Sequence, residues 1–278
     1  MNAPERIWQR REPLVSLSAR EATALLDKAV IDLTLLSGGL RNTNYRVQLA
    51  GEPVPLVLRL YTADPSACAR EAALLRLVAG SVPSPVILRS DPAAGPPWSL
   101  ITFIEGEPFD VAQNAPTADL RAMAYSAGSV LARIHAFGFQ HAGFFDADLD
   151  VQPFRAEFRW SNWLAAILEH GEVRQQLGAD LAQRLGRFVD ENAWRIESRQ
   201  EPPCLLHADY KPWNLLVRHN TVVGVIDWEF AFAGSRLNDI SNFLRHSASQ
   251  MPEYEAGFVA GYTGGAACSL ATGNSWRG

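Results

Sequence analysis

The run Leu205-Leu206-His207-Ala208-Asp209-Tyr210-Lys211-Pro212-Trp213-Asn214-Leu215-Leu216-Val217 decides how this chain is read. Apolar stretches at 204–207 and 215–217 enclose a polar loop stiffened by Pro212, and a third, 222–226, ends on Asp227. Short β-like segments with polar residues at their tips present reactive groups on rigid supports. Asp209 can take a proton from a hydroxyl. Asn214, five residues on, and Asp227, thirteen further, offer hard oxygen atoms to Mg²⁺. That is equipment for phosphoryl transfer, in which positioning and charge neutralisation do most of the work.

The spacing His207-x-Asp209-x-x-x-x-Asn214 followed by Ile226-Asp227 resembles the catalytic loop and metal-binding Asp of the protein-kinase-like superfamily. The small-molecule branch, the aminoglycoside phosphotransferase and choline kinase family, looks closest. The resemblance covers roughly residues 30 to 262. It implies an α+β, two-lobe fold: an antiparallel N-lobe sheet with one helix over 30–105 and a mostly helical C-lobe over 106–278, preceded by an arm and helix over 1–29. It also implies ATP or GTP and Mg²⁺ as cofactors and a small hydroxyl-bearing acceptor. Asp209 would be the catalytic base and Asn214 and Asp227 the metal ligands. Lys211 would steady the γ-phosphate. His207 is expected to be structural, and Asp239 to anchor the loop backbone.

Composition sets the outer limits. With 278 residues, 47% of them hydrophobic and 20% charged, the chain is long enough for one large domain or two lobes. A net charge of −5 and the lack of a basic run argue against a nucleic-acid partner. Cys68, Cys204 and Cys268 are scattered without metal spacing and suit a reducing compartment. No apolar run approaches a membrane span, so a soluble cytoplasmic protein is the expectation. Oligomeric state is not legible.

Along the first third, Ser18-Ala19-Arg20-Glu21 reads as a capping box opening a helix to about Ala29. Strands are expected over 31–36, 45–49 and 54–60. Between the first two lies Ser37-Gly38-Gly39-Leu40-Arg41-Asn42-Thr43-Asn44. Glycines there permit positive φ and close approach of backbone amides to a phosphate. On the resemblance, Gly38, Gly39, Asn42 and Thr43 cover the nucleotide. In the third strand, a period of two puts Val57 and Arg59 on one face. The resemblance sets Val57 against adenine and Arg59 on the α/β-phosphates, where the family usually has Lys. Arg keeps the charge but is bulkier and forked. Asp64-Pro65 starts a helix to about Ala79, whose Glu71 is the expected partner of Arg59. Strands over 86–89 and 98–104 follow, and Glu105-Gly106-Glu107-Pro108 marks the lobe boundary. By resemblance, Phe103, Ile104 and Glu105 meet the adenine edge, Leu216 forms its floor, and Ile226 completes the pocket.

The remainder reads as helical: 120–134, then 154–170 and 173–199 with Trp160, Trp163 and Trp194 as core aromatics, then 239–245. His135 is expected in the core or at a cap. After Tyr262 the chain turns Gly/Ala/Ser/Thr-rich, with too few large apolar side chains for the family's closing helices; disorder or truncation is the expectation. Eleven acids against seven arginines within 145–201 suit a cationic acceptor such as an aminoglycoside. Trp213 and Trp228 could instead serve a choline- or ethanolamine-type ammonium through their aromatic faces. Arg59 and the thin tail leave a catalytically silent homologue open. No Asp-Phe-Gly or Ala-Pro-Glu pair brackets an activation segment, which speaks against a protein kinase.

Overall fold

The computed structural model describes residues 13–36, 41–115, 118–155, 159–197, 201–245 and 252–271. The Ser18 hydroxyl accepts the Glu21 amide and the Glu21 carboxylate accepts the Ser18 amide, completing the expected capping box of α1 (Ala19–Leu26). The helix stops short of Ala29 because Asp27 turns into the left-handed region at φ 50°. Strands β1 (Val30–Leu35), β2 (Thr43–Leu49) and β3 (Leu56–Leu60) then run antiparallel. Helix α2 (Ala67–Val78) follows, then β4 (Ile87–Asp91) and β5 (Trp98–Thr102). The sheet order is β1-β2-β3-β5-β4. Helix α2 begins later than Asp64 because that carboxylate caps a preceding turn, accepting from the Ser66 amide and hydroxyl.

The strict alternation of burial in β2 gives the sheet two unlike faces. Tyr45, Val47 and Leu49 join Leu58, Leu60 and Leu26 in an apolar cluster with α1. The opposite face carries Asn44, Arg46, Val57 and Arg59, paired across strands as Asn44 with Arg59 and Arg46 with Val57.

At Glu107 the chain leaves this sheet. Strand β6 (Glu107–Pro108) pairs with a later hairpin and runs into α3 (Phe109–Ala112) and α4 (Leu120–Ile134). Met123, Ala124, Ala127, Leu131 and Ile134 of α4 are fully buried, as their helical spacing predicts. Strands β7 (Gly143–Phe145) and β8 (Val151–Pro153) form a hairpin, so the helix expected from 154 begins only at Trp160. The helical stretch breaks into α5 (Trp160–Glu169), α6 (Gly171–Leu177), α7 (Ala179–Asn192) and α8 (Trp194–Glu197). Gly178, at φ 77°, makes the break inside the helix expected over 173–199. Trp163 and Trp194 are exposed rather than core, while Trp160 packs against the next strand, β9 (Cys204–Leu206).

A single 3₁₀ turn over Pro212–Asn214 leads into β10 (Leu215–Arg218) and β11 (Thr221–Val225). His219 and Asn220, both with positive φ, make the tight turn between them. Strand β12 (Phe232–Gly234) pairs with β9 and β7, and α9 (Leu237–Leu244) and α10 (Pro252–Ala271) close the chain.

Helix α10 continues through Ala271, which corrects the expectation of disorder directly after Tyr262; residues 272–278 lie outside the described residues. Its small residues serve close packing instead of breaking the helix. A Cβ at Gly261 would lie 1.9 Å from the Tyr125 carbonyl oxygen, one at Gly128 2.1 Å from that of Phe258, and one at Gly257 2.4 Å from that of Arg121. Two backbones thus approach where side chains would not fit, while Tyr254 and Phe258 supply the burial. No helix among the described residues is long and apolar enough to cross a membrane.

Candidate active site

Strand β9 delivers the loop His207–Lys211, and its backbone is held from below. Asp239, fully buried on α9, accepts the amides of His207 at 2.7 Å and Ala208 at 2.8 Å. Asn242, one turn along, donates to the Ala208 carbonyl. Ala208 sits at φ 64° and Asp227 at φ 69°, both left-handed, a conformation that costs an L-residue about 1–2 kcal/mol and persists only when neighbours fix it. His207 is buried and donates from Nε2 to the Ile226 carbonyl, 3.0 Å away, so it ties the loop to the segment before Asp227 as expected of a structural residue. His135 contacts Tyr262 and Asp239 inside the core, far from any hydroxyl acceptor's path.

The catalytic set converges. Asp209 Oδ1 forms an ion pair with Lys211, and its Oδ2 accepts the Asn214 amide nitrogen at 2.8 Å. The same nitrogen also reaches the Asp209 carbonyl at 2.9 Å, which turns the Asn214 oxygen away from the carboxylate and leaves it to a cation. Across the cleft, Arg59 Nη2 lies 2.5 Å from Asp227 Oδ1, and its Nε lies 3.0 Å from Glu71 Oε2 without hydrogen-bond alignment. Glu71 is itself fixed twice more: Tyr61 donates its hydroxyl at 2.6 Å and the Trp228 amide at 3.2 Å. Burial alone would lower the Arg59 pKa, but the carboxylates of Glu71 and Asp227 outweigh it and hold the guanidinium well above its ordinary value. Burial, then Glu71, keeps the Tyr61 phenol protonated as a donor.

On the nucleotide side the outcomes divide. Val57 lies on the cleft face and packs against the C-lobe core. Ile104 and Leu216 meet over Gly224, where a Cβ would lie 2.9 Å from Ile104 and 3.4 Å from Leu216, so an apolar floor exists at the lobe junction. Phe103 lies under Arg46 at 5.7 Å, and the Glu105 side chain is exposed near Arg218, leaving only its backbone for an adenine edge. Thr43 departs from expectation: it shares the inner face of β2 and its hydroxyl accepts the Val15 amide. Asn42 is buried and donates to Glu229. Gly38 and Gly39 lie outside the described residues.

Trp228 is fully buried and packs on His207, so it cannot meet a ligand; that expectation is withdrawn. Trp213 is partly exposed, with the Lys211 ammonium 5.2 Å over its ring. Three residues escaped assignment from the sequence. Asn44 lies beside Arg59 on the cleft face, a position set by register. Tyr61 supports Glu71. Glu229, buried, binds Arg41 and Asn42 and turns its carbonyl toward Arg70. Its carboxyl is pushed above the ordinary range, first by burial and then by Asp227.

Among the described residues, no cluster of three or more His, Cys, Asp or Glu side chains could hold a metal. Two protein oxygens, from Asn214 and Asp227, fit Mg²⁺, which keeps waters and takes substrate phosphates in place of an all-protein cage.

A family model described as the phosphotransferase enzyme family matches residues 32–270, most of the chain and all of the machinery above. The chain belongs to that family. Among solved structures, this phosphotransferase-family chain shares its fold with aminoglycoside phosphotransferase APH(4)-Ia, at TM-score 0.63 and 19% identity over 91% of this chain and 94% of that one. The gentamicin complex of APH(2'')-IIa gives 0.65 and 19%, over 93% and 87%. A homoserine kinase of Beijerinckia indica subsp. indica is 33% identical over 164 residues, which is 57% of this chain and 46% of that protein. The counterpart from Methylocella silvestris is 32% identical over 155 residues, 54% and 42%. The matched stretch spans less than half the length of either curated relative.

Proposed function

We propose that the protein transfers the γ-phosphoryl group of ATP or GTP to a hydroxyl of a small, amine-bearing acceptor. The observation that carries this reading is that Asp209 gathers Lys211 and Asn214, Asp227 gathers Arg59 and through it Glu71, and the Ile226 amide on the Asn214 carbonyl sets the two groups side by side. Asp209 orients the acceptor hydroxyl and takes its proton as the oxygen bonds to phosphorus and the bond to the nucleoside diphosphate breaks. Lys211 steadies the Asp209 carboxylate and the incoming phosphate charge. Asn214 fixes Asp209 through its amide nitrogen and, with Asp227, would hold Mg²⁺. When bound, that ion neutralises phosphate charge during transfer. The apolar floor of Ile104, Leu216 and Val57 would receive the base. Related structures of this fold contain ADP or AMP-PNP with hygromycin B, which supports a nucleotide in the cleft.

The acceptor follows from what the acids and tryptophans are doing. Asp146 caps its own loop, Glu169 and Asp180 pair with Arg174 and Arg184, and Glu197 accepts from Ser161. An acidic trough for a polycationic aminoglycoside is therefore weakly supported. With Trp228 buried and Trp213 beside Lys211, a quaternary ammonium loses its aromatic box as well. A compact amino alcohol of the homoserine class fits better and agrees with the curated relatives.

An ADP-release screen over L-homoserine, ethanolamine, choline and aminoglycosides, with Asp209→Ala as the blank, tests this. Turnover on an amino alcohol should fall by about 10²–10⁴ in the blank while nucleotide affinity holds. Nucleotide binding with no transfer to any hydroxyl would mark a silent homologue and defeat the proposal.

A further inference from the structure

Arg59 does more than face a phosphate. Its guanidinium is buried, with one arm on Asp227 and its Nε beside Glu71, and the Tyr61 ring lies 5.4 Å below it. Glu71 cannot follow if the guanidinium swings, because Tyr61 and the Trp228 amide hold both its oxygens. Asp227 is thus paired by a cation of the chain itself. A fork suits this task and an ammonium does not: Nε and Nη2 meet one carboxylate each, whereas a lysine would present a single point of charge to both.

Next to Arg59 across the sheet, Asn44 carries a buried Oδ1 with no hydrogen-bond partner. Directly paired residues of neighbouring strands project from the same face, so this acceptor lies alongside the guanidinium. A buried acceptor without a partner is costly unless another state of the protein uses it. A guanidinium released from Asp227 has Asn44 on one side and incoming phosphate oxygens ahead.

We infer that Arg59 stands in for the divalent metal at Asp227, so that metal and nucleotide load together, each removing an obstacle to the other. The nucleotide draws Arg59 onto its phosphates, and the metal takes the carboxylate oxygen that Arg59 vacates. This rests on the phosphotransferase reading of the cleft, in which Asp227 is a metal ligand. Such coupling is reciprocal: whatever factor the nucleotide adds to metal affinity, the metal adds to nucleotide affinity.

Mn²⁺ binding, followed by electron paramagnetic resonance on full-length protein, separates the possibilities. Wild type without nucleotide should bind Mn²⁺ weakly, and AMP-PNP should tighten it by about tenfold or more, within the usual range for coupled sites. Arg59→Met should tighten nucleotide-free Mn²⁺ binding by about tenfold and abolish most of the coupling. Arg59→Lys, which keeps the charge and guards against misfolding of the methionine variant, should move part of the way. Equal nucleotide-free affinity in wild type, Arg59→Lys and any folded Arg59→Met would overturn the inference, even if those variants melt earlier. Asp227→Asn is the control for the underlying reading: Mn²⁺–AMP-PNP binding unchanged by it would mean that Asp227 is no metal ligand at all.

Discussion

Glu229 shows how much a single buried carboxylate can report. Its side chain is 5% exposed, two residues after Asp227, and accepts from Asn42 while paired with Arg41. Burial and the nearby Asp227 charge raise its pKa in the folded protein. A carboxyl raised on folding contributes stability below its unfolded value, about 4.3, and loses that contribution as pH rises through the folded value. Ionised Glu229 therefore burdens the folded protein at neutral and alkaline pH. Glu229→Gln retains an acceptor for Asn42 and should raise Tm at about pH 8 but leave it nearly unchanged at about pH 4. Melting curves of the two proteins across that range check it, and a variant less stable at the higher pH would show that the Arg41 pair outweighs burial.

At the scale of elements, the pairing of α4 with α10 sets how the C-lobe closes. The glycines of α10 lower helix propensity by about 1 kcal/mol each relative to alanine, yet the helix forms because tertiary contact repays it. Gly261→Ala would press a methyl into the Tyr125 carbonyl, and backbone cannot yield as a side-chain tip can. The expected loss is about 1–3 kcal/mol, typical of overpacking. Gly264→Ala is the contrast: its nearest neighbour, the Tyr125 hydroxyl, is 3.7 Å away, so alanine should be neutral or stabilising. Thermal denaturation of the pair checks both, and equal destabilisation would mean the close approach is not what the glycines serve.

Over the whole molecule, contacts from the first sheet and α2 converge on a few residues after β11. Arg59 reaches Asp227, Glu71 the Trp228 amide, and Arg41, Asn42 and Arg70 reach Glu229. The Val225 amide donates to Pro83 at 2.7 Å. The lobes are joined at the candidate site itself, so one set of bonds sets both the site's geometry and the lobe alignment. Glu71→Ala would strip a partner from buried Arg59 and should cost about 3–5 kcal/mol, the penalty for half of a buried pair. It should also speed hydrogen exchange at the Trp228 amide, which NMR or mass spectrometry reads directly. An unchanged Trp228 rate would show that Glu71 does not hold the segment.

The sequence by itself pointed to the loop over 207–214 and to Asp227 as a candidate site, and, through the family resemblance, to Glu71 beside Arg59 and Asp239 beneath the loop. The loop and Asp227 are written in local spacing and the face of Arg59 in strand periodicity, which are properties of a few consecutive residues; the places of Glu71 and Asp239 follow from the resemblance. Only the tertiary structure decided that Thr43 faces inward while Asn44 faces the cleft, that Trp228 is core, and that Glu229 closes on Asn42. It also decided that a glycine-rich tail is a packed helix. These depend on which face of an element meets which partner elsewhere in the chain, from Val15 against Thr43 to Asn42 against Glu229, and on how closely two backbones approach. Residue type alone does not carry that information, because a small or polar side chain suits a turn, a cleft or a tight crossing equally until the partner is in place.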